Sequence, residues 1–149
     1  MKKLTQCMAL VIGLLSVSGS AVAADQAAYE ALAEKMFGSM GKLATILEAV
    51  TDDATAEAAS AQIKELTDKE FEPLATEMNA LGEPDDEMGK KLEEKFDPQM
   101  QAVSNRIQTA MMGILQKDPN LMMKLQGAME GFSETMAKAS ASSESKAEG

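Results

Sequence analysis

Gly82-Glu83-Pro84-Asp85-Asp86-Glu87 is the stretch on which the reading of this chain turns. A glycine ends a helix because it accepts the left-handed backbone of a helix C-terminus without steric cost. A proline suits the first turn of the next helix, where a missing N–H leaves nothing unpaired. Three carboxylates then load the new amino end, where the helix dipole favours negative charge. The stretch predicts one helix stopping near Leu81 and another starting at residue 84.

Both flanks carry the matching periodicity. On the amino side Ala59, Ile63, Leu66, Phe71, Leu74, Met78 and Leu81 recur mostly in steps of three or four, the stripe of a helix over residues 54–81. The step from Leu66 to Phe71 is five and Pro73 follows at once, which predicts a kink. On the carboxyl side Leu92, Phe96, Met100, Val103, Ile107, Met111 and Ile114 line one face of a helix over 84–117. Lys69-Glu70-Phe71-Glu72-Pro73 is echoed by Glu94-Lys95-Phe96-Asp97-Pro98. Folding these helices back on each other at Glu83 sets Phe71 and Phe96 at nearly the same height. The expectation is a long kinked hairpin of helices 2 and 3 in which the two rings meet.

Two further helices flank this pair. Tyr29, Leu32, Met36, Met40, Leu43, Leu47 and Val50 give a stripe over residues 25–50, and Thr51-Asp52-Asp53 offers a hydroxyl cap and two acids for the helix that follows. Asp118-Pro119 opens the last helix, 119–138, with Met122, Leu125, Met129, Phe132 and Met136 as its stripe. No segment alternates with period two, so no strand is expected. Short connections make neighbouring helices antiparallel. The fold class expected is all-α, an antiparallel bundle of about four helices at roughly 25–50, 54–81, 84–117 and 119–138. Unequal helix lengths also admit a second arrangement, in which the first and last helices pack on the hairpin across a dimer.

The chain ends have a different character. Met1-Lys2-Lys3 is basic, residues 7–17 are apolar, and Ser18-Gly19-Ser20-Ala21-Val22-Ala23 is a run of small residues ending Ala-x-Ala. That order is expected of a signal peptide over residues 1–23, cleaved after Ala23. The apolar run is about half of the ~20 residues a membrane-spanning helix needs, so no membrane insertion is expected after cleavage. Residues 24–138 would form the bundle domain. The serine-, alanine-, lysine- and glutamate-rich segment 139–149 has nothing to bury and is expected to be a disordered tail. These features predict a bacterial protein of the periplasm or the extracellular space. Its single cysteine, Cys7, falls in the leader, so a mature chain would hold no disulfide, thiolate metal site or thiol nucleophile.

Composition narrows the function. The net charge is −10, and cleavage would remove Lys2 and Lys3 but no acid. Such a surface repels phosphates, so nucleic acid is not an expected partner. There is no histidine, which removes the usual zinc sites, histidine-ligated haem and the commonest general base. Gly-x-Ser-x-Gly is missing, and the acidic clusters lack the spacing of a calcium loop. A non-enzymatic protein without catalytic residues or cofactor is therefore expected.

Methionine is the compositional oddity, 13 residues against four phenylalanines and one tyrosine. Most lie on the stripes and fill the core. Met112 and Met123 instead point away from their helices' stripes, within two turns of Asp118-Pro119, beside Met111 and Met122. As an apolar patch these four suit a partner helix or an unfolded client, because flexible thioethers adapt to many surfaces. As ligands, Met111, Met112, Met122 and Met123 offer soft sulfur to Cu(I) or Ag(I). They are also sinks for oxidants. The leading expectation is an exported protein acting by macromolecular interaction, as a chaperone-like or structural module of the cell envelope. Its partner would be another protein or a second copy of itself. The alternative is soft-metal binding through the methionine cluster.

Overall fold

The computed structural model describes residues 26–82 and 84–144, which are helical apart from short connections and contain no strand. The elements are α1 (Gln26–Glu48), α2 (Asp53–Leu66), a π-turn (Thr67–Phe71), α3 (Glu72–Leu81), α4 (Asp86–Lys117) and α5 (Pro119–Glu144). Because α2, the π-turn and α3 are continuous, the chain folds as four rods, consecutive ones antiparallel. Among the described residues no helix is long and apolar enough to cross a membrane. Residues 1–25 lie outside the described residues, and with them the expected signal peptide and Cys7.

Caps fix where the rods begin and end. Asp52, rather than Thr51, caps α2: its carboxylate accepts the Thr55 N–H at 2.9 Å, while the Thr55 hydroxyl oxygen accepts the Asp52 N–H at 2.9 Å. This reciprocal box satisfies two donors that the helix itself cannot. Asp85 caps α4 with its carboxylate, which accepts the Met88 N–H at 2.7 Å. Pro84 therefore lies just before the cap, not in the first turn as expected, because the carboxylate that closes that turn belongs to the next residue. Gly82 ends α3 at φ 78° and ψ −166°, a positive-φ backbone that glycine adopts freely but extended rather than the left-handed helical one expected of it. At the other end of the chain α5 runs through Glu144, past the expected stop at residue 138. Residues 145–149 of the expected tail lie outside the described residues.

The π-turn resolves the step of five. Glu72 N–H bonds to the Thr67 carbonyl, five residues back, so the extra residue is absorbed and Leu66 and Phe71 both face the core, at 8% and 0% exposed. The wider turn also accommodates Pro73, which cannot donate and whose ring presses on the carbonyl four residues earlier. The irregularity expected beside Pro73 is thus one inserted residue.

Side-chain pairs show how the rods lie. Tyr29 donates its hydroxyl to the Leu81 carbonyl at 3.2 Å, Lys35 meets Glu77 at 2.9 Å, and Lys42 meets Glu70, so α1 runs antiparallel to the second rod. Glu30 pairs with Lys95 at 2.5 Å and Glu48 with Arg106 at 2.7 Å, numbers that rise together, so α4 lies along α1 in the same direction. Lys124 reaches Asp53 and Glu57 at 3.1 Å, and Phe132 meets Phe71, so α5 likewise follows the second rod. The α1–α4 and α2–α5 interfaces are the most extensive, while the second and third rods touch little beyond their connection. They face each other across a diagonal of the bundle.

Phe71 and Phe96 consequently do not form the pair expected from the sequence. Docking of α4 on α1 turns Phe96 toward Phe37, with ring centroids 5.4 Å apart. The π-turn aims Phe71 at Phe132, edge-on at 4.7 Å. The hairpin connection is present, but each of its arms gives its aromatic face to a different neighbour. Two apolar clusters result. The larger, around Leu43, Leu47, Ile63, Phe71, Ile114 and Leu125, draws on all four rods. The smaller joins Tyr29, Leu92 and Phe96, with Phe37, Leu81 and Met88 packed against them. The buried face of α5 is also rotated from the expected stripe: Leu121, Leu125, Ala128, Phe132 and Met136 are buried, whereas Met122 and Met129 are half-buried on its flank. Small Ala128 lets the rod approach closely, which an apolar count based on large residues overlooks.

Candidate functional site, the methionine end of the bundle

Asp118 alone connects α4 to α5. Its backbone is extended, φ −158° and ψ 114°, and its N–H still bonds to the Ile114 carbonyl at 3.0 Å. Its carboxylate accepts the Asn120 N–H at 2.8 Å and its carbonyl accepts that of Leu121 at 3.1 Å, so both helix ends are satisfied within one residue. Pro119 occupies the first position of α5, where the sequence places it.

This tight link decides which side chains reach water. The last turns of α4 bury Ile107, Met111 and Ile114, which leaves Met112 and Leu115 on the outer face, three residues apart and therefore neighbours. The first turns of α5 bury Leu121 and Leu125, which turns Met123 outward. Met112 is 59% exposed, Leu115 46% and Met123 67%, and these are the large exposed hydrophobics among the described residues. All three sit within two turns of Asp118.

The four methionines singled out by sequence thus divide. Met111 is buried in the main core at 3% exposure, and Met122 is half-buried against the same core. Met112 and Met123 face solvent. Leu115 belongs with the exposed pair and was hidden in the sequence by its neighbour Ile114, although its spacing from Met112 marks the shared face.

The surroundings carry little charge. Residues 107–129 hold only Lys117, Asp118 and Lys124 as charged side chains, in a chain of net charge −10. Lys124 is engaged by Glu57 and Asp53 of α2, whose hydrogen bonds raise its pKa. Gly127 and Gly131 are exposed on α5, and an added Cβ at either would meet nothing within 4 Å. Neither glycine is required for packing within the chain.

A second polar constellation lies at the π-turn. The Ser39 hydroxyl donates to Glu70 at 2.7 Å and the Lys42 ammonium donates to the other carboxylate oxygen. Lys42 first, then Ser39, holds the Glu70 pKa below the ordinary 4.5. Ser39 is buried at 4% exposure, so its hydroxyl is spent on the carboxylate and serves to seat α1 against the π-turn. The acidic pairs Asp52-Asp53 and Asp85-Asp86 start helices, and among the described residues no three histidine, cysteine or carboxylate side chains group into a metal site. No protein-family model, no curated protein and no solved structure matches this chain.

Proposed function

We propose that this protein is an exported, non-enzymatic helical module that acts by binding another macromolecule, in a chaperone-like or structural role in the cell envelope. Its contact surface is the apolar end of the bundle formed by Met112, Leu115 and Met123. The observation that carries this reading is the exposure of these three large apolar side chains within two turns of Asp118, in the least charged stretch of the described residues. Isolated surface hydrophobics need no explanation, whereas a group of them marks a place where another molecule is met. Methionine suits such a place because its unbranched thioether re-packs against varied shapes. The low local charge spares a partner the cost of stripping water from ions.

The test is suppression of reduced-insulin aggregation, followed by light scattering. Protection by the wild-type protein that is mostly lost in the Met112→Ser/Leu115→Ser/Met123→Ser variant is the expected result. Substitutions at exposed sites of this kind change stability by only about 0.5 kcal/mol each, so the variant stays folded. Wild-type protein that gives no protection even in molar excess sinks the proposal. The soft-metal alternative needs Met111 to leave the core. Stoichiometric Cu(I) binding that disappears when Met111, Met112, Met122 and Met123 become leucine would establish it instead.

A further inference from the structure

Met111-Met112 and Met122-Met123 are sequence neighbours whose members differ chiefly in direction. Successive residues project about 100° apart around a helix, so one methionine of each pair faces the bundle and the other faces water. Met111 is 3% exposed against 59% for Met112; Met122 is half-buried against 67% for Met123. Met36, Met40, Met100 and Met136 are buried as well. Among the described methionines these four and Met111 are buried, Met78, Met88, Met122 and Met129 are half-buried, and Met112 and Met123 are the exposed ones, both on the apolar end.

Exposure decides which thioether reacts with a two-electron oxidant such as hydrogen peroxide. A sulfur lone pair attacks one peroxide oxygen, the O–O bond breaks, an S–O bond forms, and the departing hydroxide takes the proton to leave as water. Sulfur loses two electrons and the peroxide gains them. The product, methionine sulfoxide, is polar where the thioether was apolar.

We propose that Met112 and Met123 form an oxidation-sensitive switch on the apolar end, resting on the docking role proposed above. Peroxide-class oxidants convert these two side chains to sulfoxides while the core methionines stay reduced. The docking surface becomes polar and releases its partner. The bundle stays folded, because neither side chain is part of the buried core. Leu115 cannot be oxidised and leaves a residual apolar contact. A thiol-dependent sulfoxide reductase would restore the surface, one enzyme for each sulfoxide epimer.

The experiment exposes the full chain to limiting hydrogen peroxide, removes the peroxide by gel filtration, and quantifies sulfoxide at each methionine by fragmentation mass spectrometry. Oxidation at Met112 should exceed that at Met111 by about tenfold or more, and Met123 should exceed Met122 by a smaller factor, since access to sulfur sets the rate. Helical circular dichroism should be unchanged, and protection of reduced insulin should fall to the level of the Met112→Gln/Met123→Gln variant. The Met112→Leu/Met123→Leu variant should give the same protection before and after peroxide, whatever its starting level. Equal oxidation within the Met111-Met112 pair overturns the proposal. So does loss of helix when only Met112 and Met123 are oxidised, or a leucine variant that peroxide still inactivates. Protection that survives full oxidation of both residues overturns the switch alone; absence of protection before any peroxide overturns the docking role and the switch with it.

Discussion

Lys69-Glu70-Phe71-Glu72-Pro73 and Glu94-Lys95-Phe96-Asp97-Pro98 repeat one pattern, and the backbone treats them differently. The first opens into a π-turn, while the second lies within an unbroken helix that carries Pro98 in its interior. A proline after an aromatic residue is therefore not what breaks the helix. The difference lies upstream. Leu66 and Phe71 are five residues apart, whereas Leu92, Phe96 and Met100 keep steps of four. Both segments nevertheless perform one task with opposite charge. The residue before each phenylalanine grips α1, Glu70 through Lys42 and Lys95 through Glu30. The core sets the backbone, and the surface pair follows it.

Single-residue deletions should separate the two segments most sharply. Removing Gln99 turns the rest of α4 by about 100° and carries Met100, Ile107, Met111 and Ile114 off the core. Loss of a cooperative thermal transition is expected. Removing Asp68 leaves Leu66 and the phenylalanine four residues apart and converts the π-turn to ordinary helix, so the transition should persist. Equal damage from both deletions would refute the π-turn as a correction of phase.

Truncating the rings comes next. Phe71→Ala should cost about 3–5 kcal/mol in urea unfolding, because the side chain is fully enclosed and opposes Phe132. Phe96→Ala should cost less, about 3 kcal/mol, since its smaller cluster can collapse more readily. The opposite ranking would mean that the smaller cluster, not the four-rod core, dominates stability. The prolines should follow in the reverse sense. Pro98→Ala restores a donor to the Glu94 carbonyl and is expected to stabilise by up to about 3 kcal/mol. Pro73→Ala should gain under about 1 kcal/mol, because the wide turn already relieves most of the ring clash.

The smallest effect is electrostatic. Glu70 and Glu30 are both held below the ordinary 4.5, Glu70 chiefly by Lys42 and Glu30 chiefly by Lys95. A lowered folded pKa means that the unfolded chain takes up the proton first. The stability from these pairs is therefore present above 4.5 and is lost as pH falls through the folded values. Glu70→Gln should flatten this acid limb of a plot of Tm against pH. An unchanged limb would show that the grip on α1 at the π-turn contributes nothing.

The sequence made the rods legible because each carries a stripe and recognisable caps. The α1 stripe from Tyr29 to Val50 is buried at every position named from sequence. The outward direction of Met112 and Met123 was also readable, since each stands beside a residue of the stripe. Partnership was not readable. A stripe says that a face is buried without saying against which rod, so Phe71 could be paired with Phe96 on chain topology alone. Ser39 was missed because a buried serine leaves no mark until its carboxylate partner is placed beside it. Leu115 was missed because two apolar residues in succession look like one thick stripe.

The diagonal placement of the second and third rods bears on how the chain reaches its folded state. The ion pairs that join α1 to α4 span 58 and 65 residues, and the hydrogen bond from Lys124 to Glu57 spans 67. A nascent chain can close the α1–α2 turn early, but its two largest interfaces wait for α4 and then α5 to emerge. Non-local closure of this kind slows folding. The early helices would thus stay loosely joined and lock only when the final segment arrives.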